Sequence, residues 1–195
     1  MVEDLRDGKA TRPADATLDE RRLIRSAQGG DAAAFVTLLR RHEPRLRSLA
    51  YRILRNRDLV PDAMQETALR AFRSLHTYRG GAAFGTWLYR ITYTSCLDLL
   101  ASGDRQLELA ERSLTALSTH TPDPAEQIGR RDVLSRALDR LSPEQRAATW
   151  LCIQQGYDLG TAAEIMGVPY GTAGSRLSIA RGVLRKALAG DRGDG

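Results

Sequence analysis

Thr172, Ser175 and Arg176 put two hydroxyls and a guanidinium near the start of a helical stretch, where open backbone N–H groups already favour an anion. Such a set can hold phosphate oxygens and reach groove edges of DNA. Asp62, Gln65 and Glu66 form a different set. Their three- and four-residue spacing lines up two carboxylates and an amide on one helix face, which taken alone is an ordinary solvated stripe. The parts for covalent or metal chemistry are missing. His42, His76 and His120 are scattered, and neither Cys96 nor Cys152 has a base or second ligand at motif spacing. No glycine-rich phosphate loop follows a strand. The expectation is a protein that binds and does not catalyse, with no metal and no cofactor. Both cysteines fall in apolar helical patterns and read as buried free thiols.

Charge supports a phosphate partner. The chain of 195 residues carries +5, and of its 29 bases only Lys9 and Lys186 are lysine. Arginine's planar fork matches phosphate better than a point charge does. Residues 20–100 hold 14 bases and 7 acids, 129–195 hold 10 and 7, and the stretch 101–128 between them holds 2 and 5. Two basic blocks thus flank an acidic connector. No apolar run approaches the roughly eighteen residues that a membrane span needs, and the mixed first twenty positions do not form a signal peptide. The cytoplasm is the expected compartment.

The elements that position these groups are helical throughout: apolar residues recur at three- and four-residue spacing, and two-residue alternation is absent. Thr17 and Glu20 have capping-box spacing for a first helix ending at Gly29-Gly30. Asp31 caps a second, whose wide apolar stripe Pro44 is expected to bend or break. A third runs from about Asp58 to Leu75 and a fourth from Phe84 to about Leu100. Helical spacing fails across 101–128, a flexible linker by composition. It returns at Val133, and Ser142-Pro143-Glu144-Gln145 gives a cap, a first-turn proline and a box partner in a row. Two further helices follow, about 158–166 and 170–188, with Gly167 between them in the layout of a helix-turn-helix. The expected architecture is all-α: a tail at 1–19, domains at 20–100 and 129–190, and the linker.

From about Leu23 to Leu188 the sequence resembles the extracytoplasmic-function sigma factors. IRSAQGGDAAAFVTLLRRHEPRLRSLAYRIL looks like the family's opening helices, and DLVPDAMQETALRAF like its polymerase-binding helix. The resemblance implies that Asp62, Gln65 and Glu66 dock on the coiled coil of the largest polymerase subunit. HTYRGGAAFGTWLYRITYTSCLDLL is similar to the promoter-melting segment, whose loop captures a base flipped from the minus-ten element; this implies roles for Tyr78, Arg79, Gly80, Tyr93 and Thr94. Phe84, Trp87 and Ile91 share a face at core spacing, whereas Tyr93 lies off it and is free to touch DNA. The segment 141–188 resembles the minus-thirty-five domain, implying contacts from Tyr170, Gly171, Thr172, Ser175, Arg176 and Arg181. The acidic Thr121–Glu126 stretch looks like the approach to that domain, a connector that in the family threads the polymerase channel.

Some positions depart from the family pattern. Thr94 replaces an asparagine, Ala101-Ser102-Gly103 an arginine-rich helix end, Thr161-Ala162-Ala163 the usual E-I-A, and Gly174 and Ile179 two basic residues. These imply an altered minus-ten preference and weaker or narrower minus-thirty-five recognition. The implied partners are core RNA polymerase and promoter DNA, with no membrane. An anti-sigma factor, common in the family, is marked by no residue here. The rival readings are a degenerate sigma-like protein that no longer reads promoters and a helix-turn-helix regulator; the second leaves the face at Asp62 and the aromatic loop unexplained.

Overall fold

The computed structural model describes residues 18–113 and 130–190, and every regular element among them is helical. Thr17, the tail before it and the Thr121–Glu126 stretch lie outside the described residues. Helix α1 (Leu18–Gln28) closes through Gly30, whose φ of 99° suits a residue without a side chain, and the turn hands over to Asp31. The Asp31 carboxylate accepts from the Ala34 N–H at 3.1 Å and from the Ser26 hydroxyl at 2.8 Å, starting α2 (Ala32–Leu54). Pro44 does not interrupt α2. Buried Phe35 and Leu38 on one side of it and Leu46, Leu49, Ala50 and Ile53 on the other keep the helix continuous.

Helix α3 (Val60–Ser74) continues as a short 3-10 turn, Leu75–Thr77, and a loop leads to α4 (Phe84–Ser113). Helices α1 to α4 share a core in which Leu38, Leu46, Leu49, Ile53, Phe84, Leu88 and Cys96 have almost no exposed surface. Helix α4 runs to Ser113, well beyond the Leu100 that apolar spacing indicated. Its residues 101–113 lack glycine-proline punctuation apart from Gly103, so hydrogen bonding carries the helix on after the core-facing stripe has ended.

The second half comprises α5 (Arg130–Asp139), α6 (Pro143–Thr149), a π-helical turn at Trp150–Gln154, α7 (Leu159–Met166) and α8 (Tyr170–Gly190). The capping box forms in both directions: Gln145 N–H donates to the Ser142 hydroxyl at 3.3 Å, and the Ser142 N–H donates to the Gln145 side chain at 3.0 Å. Asp158 caps α7 through the Thr161 N–H at 2.9 Å and the Thr161 hydroxyl at 2.7 Å. Gly167, at φ 63°, makes the turn into α8.

The two halves share one continuous core. Tyr89 of α4 is buried between the rings of Trp150, 5.5 Å away, and Tyr157, 6.0 Å away. Arg146 of α6 donates twice to the Ile53 carbonyl at the end of α2, at 2.6 and 3.1 Å, and once to its own Leu141 carbonyl at 2.6 Å. Hydrogen bonds from a charged donor contribute about 1.5–3 kcal/mol each. Arg55, in the left-handed conformation just past α2, pairs with Asp139 at 2.6 Å and donates to the Ser135 hydroxyl at 2.7 Å.

Candidate functional site

Three groups of expected contact residues occupy three places. On α3, Asp62 and Gln65 are exposed and Glu66 is half-buried, all on the face turned toward α4. They line a groove of about 500 Å³ with Leu69, Arg70 and Asp98. Arg70 organises it, bonding Glu66 and Asp98 at 2.5 Å each. Asp98, then Glu66, holds the guanidinium proton more tightly than usual. Glu66 is therefore fixed in position, and Asp62 and Gln65 present free polar ends. The Ser95 hydroxyl lies buried at the groove floor without a hydrogen-bond partner. Leu69 and Phe72 extend the face with exposed apolar surface at 43% and 51%. Sequence reasoning passed over Arg70, Leu69 and Phe72, although Gln65, Leu69 and Phe72 follow the same four- and three-residue spacing.

The second group divides. Tyr78, Arg79 and Gly80 form the loop ahead of α4. Gln28 of α1 pins the loop by donating to the carbonyls of Leu75 at 3.1 Å and Tyr78 at 2.8 Å, and the Tyr78 hydroxyl closes it onto the Ala82 carbonyl at 2.8 Å. The Tyr78 ring packs edge-on against Phe84 at 5.3 Å and tilts over Trp87 at 5.4 Å. Phe84 is fully buried, and Trp87 and Ile91 are half-buried against the core. Arg79 and Gly80 are exposed; Arg79 rims two open clefts, and Gly80 lines the first of them. One, of about 760 Å³, is shared with Arg21, Arg25 and Gln28 of α1; the other, of about 680 Å³, is shared with Trp87, Arg90 and Tyr170. Arg21, Arg25 and Gln28 were not singled out from the sequence, because nothing local ties α1 to a loop fifty residues away.

Thr94 and Tyr93 lie farther along α4. Thr94 is exposed and donates its hydroxyl to the Arg90 carbonyl at 3.0 Å, which leaves it an acceptor for outside groups. Tyr93 is only 4% exposed: it lies between the two halves, where burial raises its hydroxyl pKa and the nearby Arg176 charge opposes that rise.

On α8, Tyr170 is 65% exposed, Gly171, Ser175 and Arg181 are exposed, and Thr172 is half-buried. The Thr172 and Ala173 N–H groups already donate to the Pro169 carbonyl at 2.9 and 3.1 Å, and Ser175 donates to the Thr172 carbonyl at 2.9 Å. Arg176 is half-buried, with one guanidinium nitrogen buried and unpaired. A methyl group built on Gly174 would meet a Leu159 methyl at 3.3 Å, so this position faces α7.

Of the cysteines, Cys96 is buried, which pushes its thiol up to about 12, and Cys152 is half-buried. Among the described residues no cluster of three or more His, Cys, Asp or Glu side chains could hold a metal ion. No described helix is long and apolar enough to cross a membrane.

Residues 38–106 match Sigma-70 region 2, and residues 131–184 match Sigma-70, region 4. The ECF RNA polymerase sigma factor SigM of Mycobacterium tuberculosis is 34% identical over 85% of this chain and 83% of its own length. The chain belongs to the ECF RNA polymerase sigma factors. The Escherichia coli ECF RNA polymerase sigma-E factor is 31% identical over 84% of this sigma factor and 91% of its own length. Among solved structures, the sigma factor RpoE of Bartonella quintana, in complex with the anti-sigma factor NepR, covers 83% of this chain and 98% of its own at 25% identity and a TM-score of 0.64. CnrH, solved with the cytosolic domain of CnrY, shares the fold at a TM-score of 0.62 and 24% identity, over 89% of this chain and 99% of its own. As a sigma factor the chain directs transcription initiation.

Proposed function

We propose that this sigma factor works as two binding units on one polymerase: residues 20–100 bind core enzyme and the minus-ten element, residues 129–190 bind the minus-thirty-five element, and 101–128 connect them. The observation that carries this is the ordered pair of region matches laid over an acidic groove, an arginine-rimmed loop and a helix-turn-helix. Asp62 and Gln65, with Glu66 oriented by Arg70, dock on the polymerase coiled coil, and the exposed Leu69 and Phe72 add apolar contact. Tyr78, Arg79 and Gly80 receive an unstacked minus-ten base and the exposed Thr94 follows it along α4, whereas Tyr93, at 4% exposure, offers it no surface. Tyr170, Gly171, Thr172, Ser175, Arg176 and Arg181 hold the minus-thirty-five duplex, mainly through phosphates.

The sigma factor does no bond chemistry of its own. Phosphoryl transfer and its magnesium belong to polymerase, so the protein acts in the cytoplasm by supplying the binding energy that opens and positions the promoter. The sigma factor of Bartonella quintana solved with an anti-sigma factor supports the same mode of control here.

The test is footprinting of promoter fragments with core polymerase and this protein, combined with permanganate reactivity of unpaired thymines. Protection at two upstream elements with reactive thymines at the downstream one is the expected result. Core binding without either signal would replace this reading with the degenerate one.

A further inference from the structure

Where α2 ends against the second half of the chain, the seam between the two halves holds a cavity of about 350 Å³ that none of the polymerase- or promoter-contact residues lines. Its walls are apolar: Leu134 and Leu138 from α5, Trp150 and Ile153 from the π-helical turn, and Leu184 from α8. Leu134 and Ile153 are 40% and 53% exposed, so part of this apolar surface is left uncovered. Every charged side chain that lines the cavity among the described residues is an arginine: Arg52 in the last turn of α2, Arg55 just past it, and Arg146 of α6.

The three cations are unequally satisfied. Arg55 pairs with the exposed Asp139. Arg146 donates to the Ile53 and Leu141 carbonyls, which accept its hydrogen bonds without cancelling its charge. Burial first, and the Arg55 charge next, hold its pKa below the ordinary arginine value. Arg52 is half-buried and has no hydrogen-bond or ion-pair partner among the described residues. Positive charge set beside apolar surface is costly unless a negative group meets it. The wall itself is irregular, since π-helical turns occur mostly at functional sites, and the Trp150 indole N–H, on a residue 2% exposed, has no hydrogen-bond partner. A cavity of this size at a junction between structural units, apolar with a few convergent polar groups, is the usual form of a small-molecule site. We propose that it binds a small amphipathic anion of the medium-chain carboxylate class. The apolar body lies along Leu134, Leu138, Ile153 and Leu184, and the carboxylate meets Arg52, whose planar fork matches it, with Arg55 and Arg146 adding positive potential. The site is independent of the promoter-binding reading. Because its walls come from both halves, an occupant contacts α2, α5 and α8 together and stabilises the folded chain.

Isothermal titration calorimetry of the full-length protein with octanoate tests this, with octan-1-ol and octyltrimethylammonium as probes of the same chain length and different charge. Octanoate should bind as one molecule per chain and raise Tm, with an affinity about tenfold above that of the alcohol, and the cation should not bind. Arg52→Gln should weaken octanoate binding about tenfold and leave the alcohol unchanged, whereas Ile153→Gln should weaken both by similar factors. Circular dichroism confirms that each variant folds; if Ile153→Gln does not, Leu134→Gln, also exposed, carries the same expectation. No saturable octanoate binding, equal binding of the three probes, or octanoate binding unchanged in Arg52→Gln overturns the site. Loss in Arg52→Gln with no effect of Ile153→Gln would leave a surface anion contact and overturns the cavity as the place of binding.

Discussion

Gly174 lies in the fifth position of α8, where a glycine costs a helix about 1 kcal/mol relative to alanine. The geometry gives a reason for it, since an added methyl would approach a Leu159 methyl to 3.3 Å. That contact is a few tenths of an ångström too tight. It meets the far end of a half-buried leucine, which can turn aside more cheaply than backbone. Gly174→Ala should therefore keep most of the helix gain, stabilising the protein by roughly 0.5–1 kcal/mol and raising Tm by about 2–3 °C. Thermal unfolding followed by circular dichroism measures it. A destabilisation of more than about 1 kcal/mol would show that Leu159 cannot yield, and that α7 and α8 need the glycine for their approach. Because the position faces α7, Gly174→Arg should not create a base-reading contact. A minus-thirty-five affinity that rises well beyond the effect of one added charge would contradict that placement.

Charge reversal at the docking groove, Asp62→Lys with Glu66→Lys, should weaken core-polymerase binding at least tenfold in a fluorescence titration, and unchanged affinity would remove that face from the mechanism. Arg176→Ala should lower the slope of log affinity against log salt by about 1 for promoter duplex, and an unaltered slope would mean that Arg176 meets no phosphate. Ser142→Ala breaks the capping box and should cost about 1 kcal/mol in urea unfolding; no loss would mean that water replaces the cap. The Asp31 and Asp158 carboxyls lie below their ordinary 3.8 because of the N–H groups of Ala34 and Thr161. Their stabilisation is complete above that value and is lost as pH falls through the lower folded values, so unfolding between about pH 5 and pH 3 should show it. Asp31→Asn with Asp158→Asn keeps the caps and should flatten this dependence.

Where start and stop signals are local, the sequence was explicit. Asp31, the Ser142–Gln145 box and Gly167 all mark ends that the structure places at the same residues. The apolar stripes likewise located the cores of α2 and α4. Of the two outcomes expected at Pro44, a break does not occur, because burial on both sides of it outweighs one lost hydrogen bond, and local signals misled at the end of α4. The seam was illegible for a physical reason: Arg146 and Ile53 are 93 residues apart, and a side chain reaching a distant carbonyl leaves no periodic trace. Tyr93 shows the consequence. Its position off the core face of its own helix reads as exposure until the second half of the chain covers it. Two departures from the family pattern acquire local roles as well, Thr161 as partner of the Asp158 cap and Ala162 as a fully buried contact.

The most direct measurement is transcription in vitro by purified core polymerase on fragments of the source genome, with and without this protein, mapping every start site. The account predicts new starts that depend on the protein and share two upstream elements, one of them melted. No protein-dependent start, despite intact folding and core binding, would contradict it.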